Sequence, residues 1–241
     1  SNIGFGFHGK FYQQKWILGY EAYLTNGFND NLILNELNRT SFHEAKEDPD
    51  KFSVSNSGCP LITARLAIRN RNLGEIGLSF LSGIYNKWKI DGIQIDEKRS
   101  SSIIALDFNT SIFKNKINFV GEVAKSFVEL PLNYSQTYGS RQMGAYCDIV
   151  ATILQTKLLG WNKAKLNIGI RLDYADFNQD KFDLSKKKIY EDTWAITPSL
   201  AFRPLGTTVL RLNYKFQKVR DIVGNTPTRN GFIQFGVSSY F

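Results

Sequence analysis

Arg229-Asn230-Gly231-Phe232-Ile233-Gln234-Phe235-Gly236-Val237-Ser238-Ser239-Tyr240-Phe241 is the stretch that decides the fold. Counted in twos, Ile233, Phe235, Val237, Ser239 and Phe241 form one side of an extended strand, apolar except for the serine. The other side, Gln234, Gly236, Ser238 and Tyr240, is mostly small or polar. Chain ends in water fray unless tied down. A last strand that is greasy on one side suits a barrel in lipid, where the terminal strand pairs and turns its apolar side outward.

The same alternation recurs upstream. Leu210, Leu212, Tyr214 and Phe216 alternate with Arg211, Asn213, Lys215 and Gln217, and Leu166 to Tyr174 alternate with Lys165 to Asp173. Ile62 to Ile68, Ile76 to Phe80, Ile104 to Phe108, Trp194 to Phe202 and Trp16 to Leu24 repeat it. The row Ala145, Cys147, Ile149, Ala151, Ile153 reads as one apolar side of a long strand. A period of two is the mark of a strand with unlike faces. The pattern predicts about eleven strands of about 9–13 residues, near the length that crosses a bilayer at a tilt.

Connections are expected to alternate in length. Tyr12–Lys15, Asn70–Gly74, Phe113–Lys116, Leu158–Lys163 and Arg203–Thr207 are short, whereas Asn26–Pro60, Asn86–Ser101, Glu129–Ser140, Asp176–Tyr190 and Arg220–Asn230 are long. Short turns on one side and long loops on the other fit an outer-membrane barrel. The fold class expected is all-β, an antiparallel up-and-down transmembrane β-barrel over the whole of 1–241, with a long outer loop at 26–60. Asn31–Lys46 has helical character and is placed inside the barrel as a constriction or cap. Single-chain bacterial barrels have even strand numbers. An odd count makes the sequence read as the C-terminal part of a longer barrel that lacks its N-terminal strands, or as having one strand more than the pattern reveals.

Composition permits this reading. The 241 residues contain no apolar run long enough for a transmembrane helix, and a mean hydropathy of −0.27 is ordinary for strands that alternate. The formal charge of +8 favours anionic surroundings, and its meaning depends on where the charges sit. Two cysteines, Cys59 and Cys147, do not make a disulfide framework; Cys147 reads as a small apolar strand residue.

Candidate motifs mostly reduce to structure. Gly4-Phe5-Gly6-Phe7-His8-Gly9 matches a dinucleotide fingerprint in letters only, since no strand precedes it and no helix follows. Asp176-x-Asn178-x-Asp180 starts like a calcium loop but has Lys181 and Lys187 where glycine and glutamate belong, and reads as a solvated loop. Lys186-Lys187-Lys188 reads as a solvated loop tip. With no nucleophile–base pair and no Cys/His cluster, neither an enzyme nor a metal or cofactor site is expected.

The informative set is the charge on the non-apolar sides of the strands. If apolar sides meet lipid, the lumen is lined by Arg65, Arg69, Lys165, Arg171, Arg203, Arg211 and Lys215, set against Glu21, Glu75, Asp107, Glu122, Asp148 and Asp173. An excess of cations attracts anions; opposite charges on neighbouring strands also pair and hold the wall polar. Both readings stand.

The order of Gly19–Phe28 (GYEAYLTNGF), Thr63–Ile68 (TARLAI), Glu75–Phe80 (EIGLSF), Asn118–Val123 (NFVGEV), Gly144–Tyr146 (GAY), Ile170–Asp176 (IRLDYAD), Pro198–Pro204 (PSLAFRP), Val209–Tyr214 (VLRLNY) and the final strand resembles the C-terminal part of the phosphate-selective porin family, of the porin O and porin P type. The resemblance implies a barrel of about sixteen strands, often trimeric, that passes small anions or other small solutes, with this chain about two-thirds of it. The lysine ladders and loop arginines behind phosphate selectivity in that family have no counterpart here, so phosphate specificity is not implied.

Three functions follow as expectations. The first is a passive channel for small hydrophilic solutes in a Gram-negative outer membrane, with the bilayer, small anions, and a homotrimer or another envelope protein as partners and no nucleic acid. The second is a plugged barrel serving as a component of an envelope complex. The third is a secreted soluble β-sandwich adhesin or lectin.

Overall fold

A computed structural model describes residues 3–47, 57–158 and 160–240. Phe241, the last member of the apolar row, lies outside the described residues. Period-two patterning gives strands β1 (Gly4–Gln13), β2 (Trp16–Thr25), β3 (Leu61–Asn70) and β4 (Gly74–Ile84), then a small hairpin of β5 (Lys89–Ile90) and β6 (Ile93–Gln94). There follow β7 (Ser100–Ile112), β8 (Ile117–Val128), β9 (Arg141–Leu158), β10 (Trp161–Asp176), β11 (Asp192–Arg203), β12 (Thr208–Val219) and β13 (Thr228–Ser239). All but β5 and β6 form one eleven-stranded sheet in which each strand pairs antiparallel with the next in sequence.

This is the up-and-down order expected. Successive strands are joined alternately at one end of the sheet by short connections (14–15, 71–73, 113–116, 204–207 and the β9–β10 turn) and at the other by long ones, whose described residues are 26–47 and 57–60, 85–99, 129–140, 177–191 and 220–227. The glycine-rich stretch Gly4–Gly9 lies within β1, with no helix after it.

Register keeps each face uniform. Leu212 pairs with Leu200 on one side and Phe235 on the other, and Leu66 pairs with Tyr20 and Leu78. Across the sheet this apolar face is the open one: Leu66 is 56% exposed and Leu106 51%. The charged face is the sheltered one, where Ala67, next to Leu66, is 9% exposed. The hydrophobic cluster of the protein lies elsewhere, under the β2–β3 loop.

Several expectations are corrected. β9 has 18 residues and β10 has 16, beyond the length expected, because their hairpin extends past its neighbours. Ile153 does not continue the row of Ala151. A bulge leaves it out of the ladder, with Thr152 opposite Asn167 and Leu154 opposite Leu166, so Leu154 takes up the apolar phase. Asn31–Lys46 forms only a 3-10 turn at Asp30–Leu32 and one short helix, α1 (Phe42–Glu47); asparagines at 29, 31, 35 and 38 favour local side-chain bonds over a continuous helix. The hairpin β5–β6, missed in the connection 86–101, turns at Asp91-Gly92, both at positive φ. An Asp-Gly between isoleucines is the signal that could have found it.

Candidate pore wall and the loop across it

Charged residues on one face of β2–β12 gather into two ion networks and one unpaired group. In the first, Arg65 on β3 holds Glu75 on β4 at 3.0 Å and Asp107 on β7 at 2.8 Å. β4 runs between Arg65 and Asp107, and Gly77 sits opposite both Ala67 and Asp107 in register. A Cβ at position 77 would collide with the Asp107 carboxylate and the Arg65 guanidinium, so glycine there leaves the space through which the bridge passes. In the second network, Arg171 on β10 holds Asp148 on β9 at 2.9 Å and Asp173 at 2.7 Å, and its guanidinium lies 4.3 Å from the centre of the Tyr146 ring.

These pairs use Glu75, Asp107, Asp148 and Asp173. Arg69 lies opposite Glu75, but Glu75 is engaged by Arg65. Glu21, opposite Arg65, instead accepts from the Tyr23 hydroxyl at 3.2 Å. Among the described residues, Arg69, Lys165, Arg203, Arg211 and Lys215 have no ion-pair partner, and neither does Glu122. Lys165 stands directly opposite Arg203, and Arg211 faces Ala201, two positions along the same strand. Register puts all thirteen charges on one face; the sequence did not show that four of the carboxylates are held in two networks while the cations of β11 and β12 and Lys165 are left without a partner.

Hollows of about 340 Å³ each lie against this face at both flanks of the sheet. Glu122, Arg171, Asp173 and Lys215 line one; Glu21, Arg65, Arg69 and Glu75 line the other. The hollow against β8–β12 and the lower exposure of most charged residues are what a sheet curved toward that face, and so concave on it, gives.

The β2–β3 loop lies on the same side. Tyr85, Val128 and Gln142 each continue the alternation that points to the charged face of β4, β8 and β9, and Glu191 precedes β11. Leu32, Ile33 and Ala45 of the loop pack with Tyr85 and Val128, joined by Phe28 and Phe42, whose rings meet at 5.6 Å. Gln142 Nε2 donates to the Thr40 carbonyl at 3.0 Å, and Arg39 pairs with Glu191 at 3.1 Å. The loop therefore reaches from β2 to the start of β11, over the concave face. Burial raises the Asp30 carboxyl above its ordinary range, partly offset by the Lys87 amide donating to it at 2.7 Å. Buried Asn29, Thr40 and Ser101 each have a side-chain oxygen without a protein partner here.

Parts of the long loops are knit together while their tips stay exposed. Asp176 and Asn178 are 1% and 0% exposed, contrary to the loop expected for Asp176–Asp180. Asp176 is the last residue of β10 and holds Lys188 Nζ at 3.0 Å; Asn178 Nδ2 donates to the Gln136 carbonyl, and Asp180 holds Arg141 at 2.9 Å. The lysine triplet is exposed as expected, and from it Lys188 also reaches a buried carboxylate; that bond raises its pKa. Arg220 closes on Asp192 through two bonds of 2.7 and 2.6 Å. Both cysteines are free thiols.

The charge excess has a place. The short turns and their margins carry Lys15, Arg71, Lys114, Lys116, Lys157 and Lys163, and the turns contain no aspartate or glutamate. The long loops carry both signs. No family model, no curated protein and no solved structure matches the chain.

Proposed function

We propose that this chain forms the wall of a porin-like channel in a Gram-negative outer membrane, passing small hydrophilic solutes with a preference for anions. The observation that carries the reading is the inversion of faces: large apolar side chains are open along the sheet, whereas ten of the thirteen charged ones, all but Glu21, Arg69 and Arg211, are half-buried. In water, an apolar surface that runs across eleven strands would far exceed the few hundred Å² that soluble monomers leave bare. In a bilayer it is the solvated side. Leu166 to Tyr174 is eight residue steps, about 27 Å along the strand and about 20 Å across the membrane at a usual tilt, which suits the apolar band of such barrels.

The charged face then lines water, where half-exposed ion pairs keep the wall polar at little cost. Seven cations against six carboxylates leave that wall only one unit positive, but Lys165, Arg203, Arg211 and Lys215 concentrate unpaired positive charge on β10–β12, which favours anions over cations there. The β2–β3 loop narrows the path. Closure into a complete barrel of even strand number and assembly into trimers belong to the same proposal.

The test is planar-bilayer conductance with reversal potentials measured in a salt gradient. A reversal potential on the anion side supports the reading, and absence of conductance from inserted protein sinks it. The plugged, interaction-only barrel is the second reading; what favours it is that the loop is anchored on the far side of the face, at Gln142 and Glu191. A soluble sandwich would cover the apolar face with a second sheet, and among the described residues no other sheet larger than the β5–β6 hairpin is present.

A further inference from the structure

We propose that the β9–β10 hairpin, at the short-turn end, docks an extended acidic strand of a partner protein along its free outer edge.

β8 begins at Ile117, opposite Ala151, and the last bond across that boundary is Thr152 N–H to the Lys116 carbonyl at 2.8 Å. From there β9 continues to Leu158, paired with β10 alone: Leu154 with Leu166, Gln155 with Lys165, Thr156 with Ala164. Six residues at a strand's rise carry this edge about 20 Å past the end of its neighbour. Among the described residues, no strand pairs with its backbone groups on that side. Residues 153–157 are all exposed, including Ile153 at 53% and Leu154 at 41%, which the bulge places next to each other. An edge of this kind accepts an added strand through its main-chain bonds, with side chains setting the choice of partner.

The charges choose the partner. Lys157 lies on the edge, Lys114 and Lys116 lie on the turn beside it, and no acidic residue occurs in 111–117 or 151–165. A second copy of the hairpin would set lysine against lysine, which is unfavourable across a ladder and is how exposed edges resist pairing with themselves. A segment that alternates carboxylates with apolar residues meets the lysines with one side and Ile153 and Leu154 with the other. This rests on the hairpin's geometry and not on conduction through the wall, so either can fail alone.

The experiment uses the full chain in detergent micelles and two synthetic peptides, one alternating valine with glutamate and one alternating valine with lysine. Binding is followed by fluorescence anisotropy, and the bound site by amide hydrogen exchange. The glutamate peptide is expected to bind and to slow exchange in 153–157, and the lysine peptide to bind about tenfold more weakly or not at all. Lys114→Glu with Lys116→Glu and Lys157→Glu should weaken the glutamate peptide about tenfold. Gln155→Pro is a second variant that keeps every charge. Thr152 turns its N–H toward β8, and counting on through the bulge turns the N–H of Gln155 outward, so proline removes an edge donor while the β10 ladder stays; it should abolish the protection. Failure of the glutamate peptide to bind, equal binding by the lysine peptide, or binding that leaves 153–157 unprotected would overturn the proposal.

Discussion

Arg203→Glu separates the stability of the wall from its selectivity. Arg203 stands across from Lys165, and neither has an ion partner among the described residues. Glutamate at 203 replaces a like-charge pair by an opposite one, worth about 0.2–1 kcal/mol in favour of the fold. Locally, the group Lys165, Arg203 and Arg211 falls from three net positive charges to one. For an ion passing about 8 Å away in water, each unit charge contributes about 0.5 kcal/mol, cut to about 0.2 kcal/mol by screening at 0.1 M salt. A change of two units acts oppositely on anion and cation, so the anion-to-cation ratio should fall about fivefold at 0.1 M salt and hardly change at 1 M. The assay is reversal potential in a salt gradient, run beside thermal unfolding of the same protein. The reasoning is refuted if the variant conducts with an unchanged ratio at low salt, or if it melts well below the parent.

Leu32→Ala empties the centre of the cluster that seats the β2–β3 loop, at a cost of about 2–5 kcal/mol to docking. Faster amide exchange in 26–47 and larger or noisier single-channel currents should follow; unchanged exchange would show that the loop is held by its polar anchors. Cys147 sits on the apolar face, opposite Leu172, whereas Cys59 lies in the β2–β3 loop. In vesicles, a charged maleimide should label Cys59 alone, and a lipid-soluble one should add Cys147. Equal labelling of both by the charged reagent contradicts a lipid-facing sheet. Bonding to Asp176 raises Lys188 above its ordinary 10.5, so the stabilisation is complete below that value and is lost as pH rises through the folded pKa. Protease resistance of the loop 177–191 should therefore hold at neutral pH and fall only above pH 10.5. Gly77→Ala puts a methyl group where the Arg65–Asp107 bridge passes; the bridge is partly exposed, so stability should fall by less than about 1 kcal/mol, while freed Asp107 shifts the reversal potential toward cations.

The strands, their order and their two faces were readable because alternation is a local property. A strand's residues point up and down in turn whatever lies beside them, so Leu212 and Arg211 declare opposite faces in sequence alone. The short and long connections followed from the gaps between those runs. The thirteen charged residues of the proposed wall could be put on one face for the same reason. Partners across the sheet were not legible. That Glu75 turns to Arg65 and not to the directly opposed Arg69, or that Gly77 clears a route to Asp107, depends on side chains from three strands meeting at once. The Asp176–Asp180 stretch misled because its composition is that of a solvated loop; it is buried only because Gln136, Lys188 and Arg141 close over it from other parts of the chain.

The sequence by itself determined an alternating, up-and-down all-β chain with charge on one face and grease on the other, as first visible in Ile233, Phe235 and Val237. Only the tertiary structure decided which face is sheltered, which cations remain unpaired, that the β2–β3 loop crosses the concave side, and that β9 and β10 outrun their neighbours. The reason is physical: patterning fixes where each side chain points along its own strand, whereas curvature, register and competition for partners depend on contacts between residues far apart in the chain.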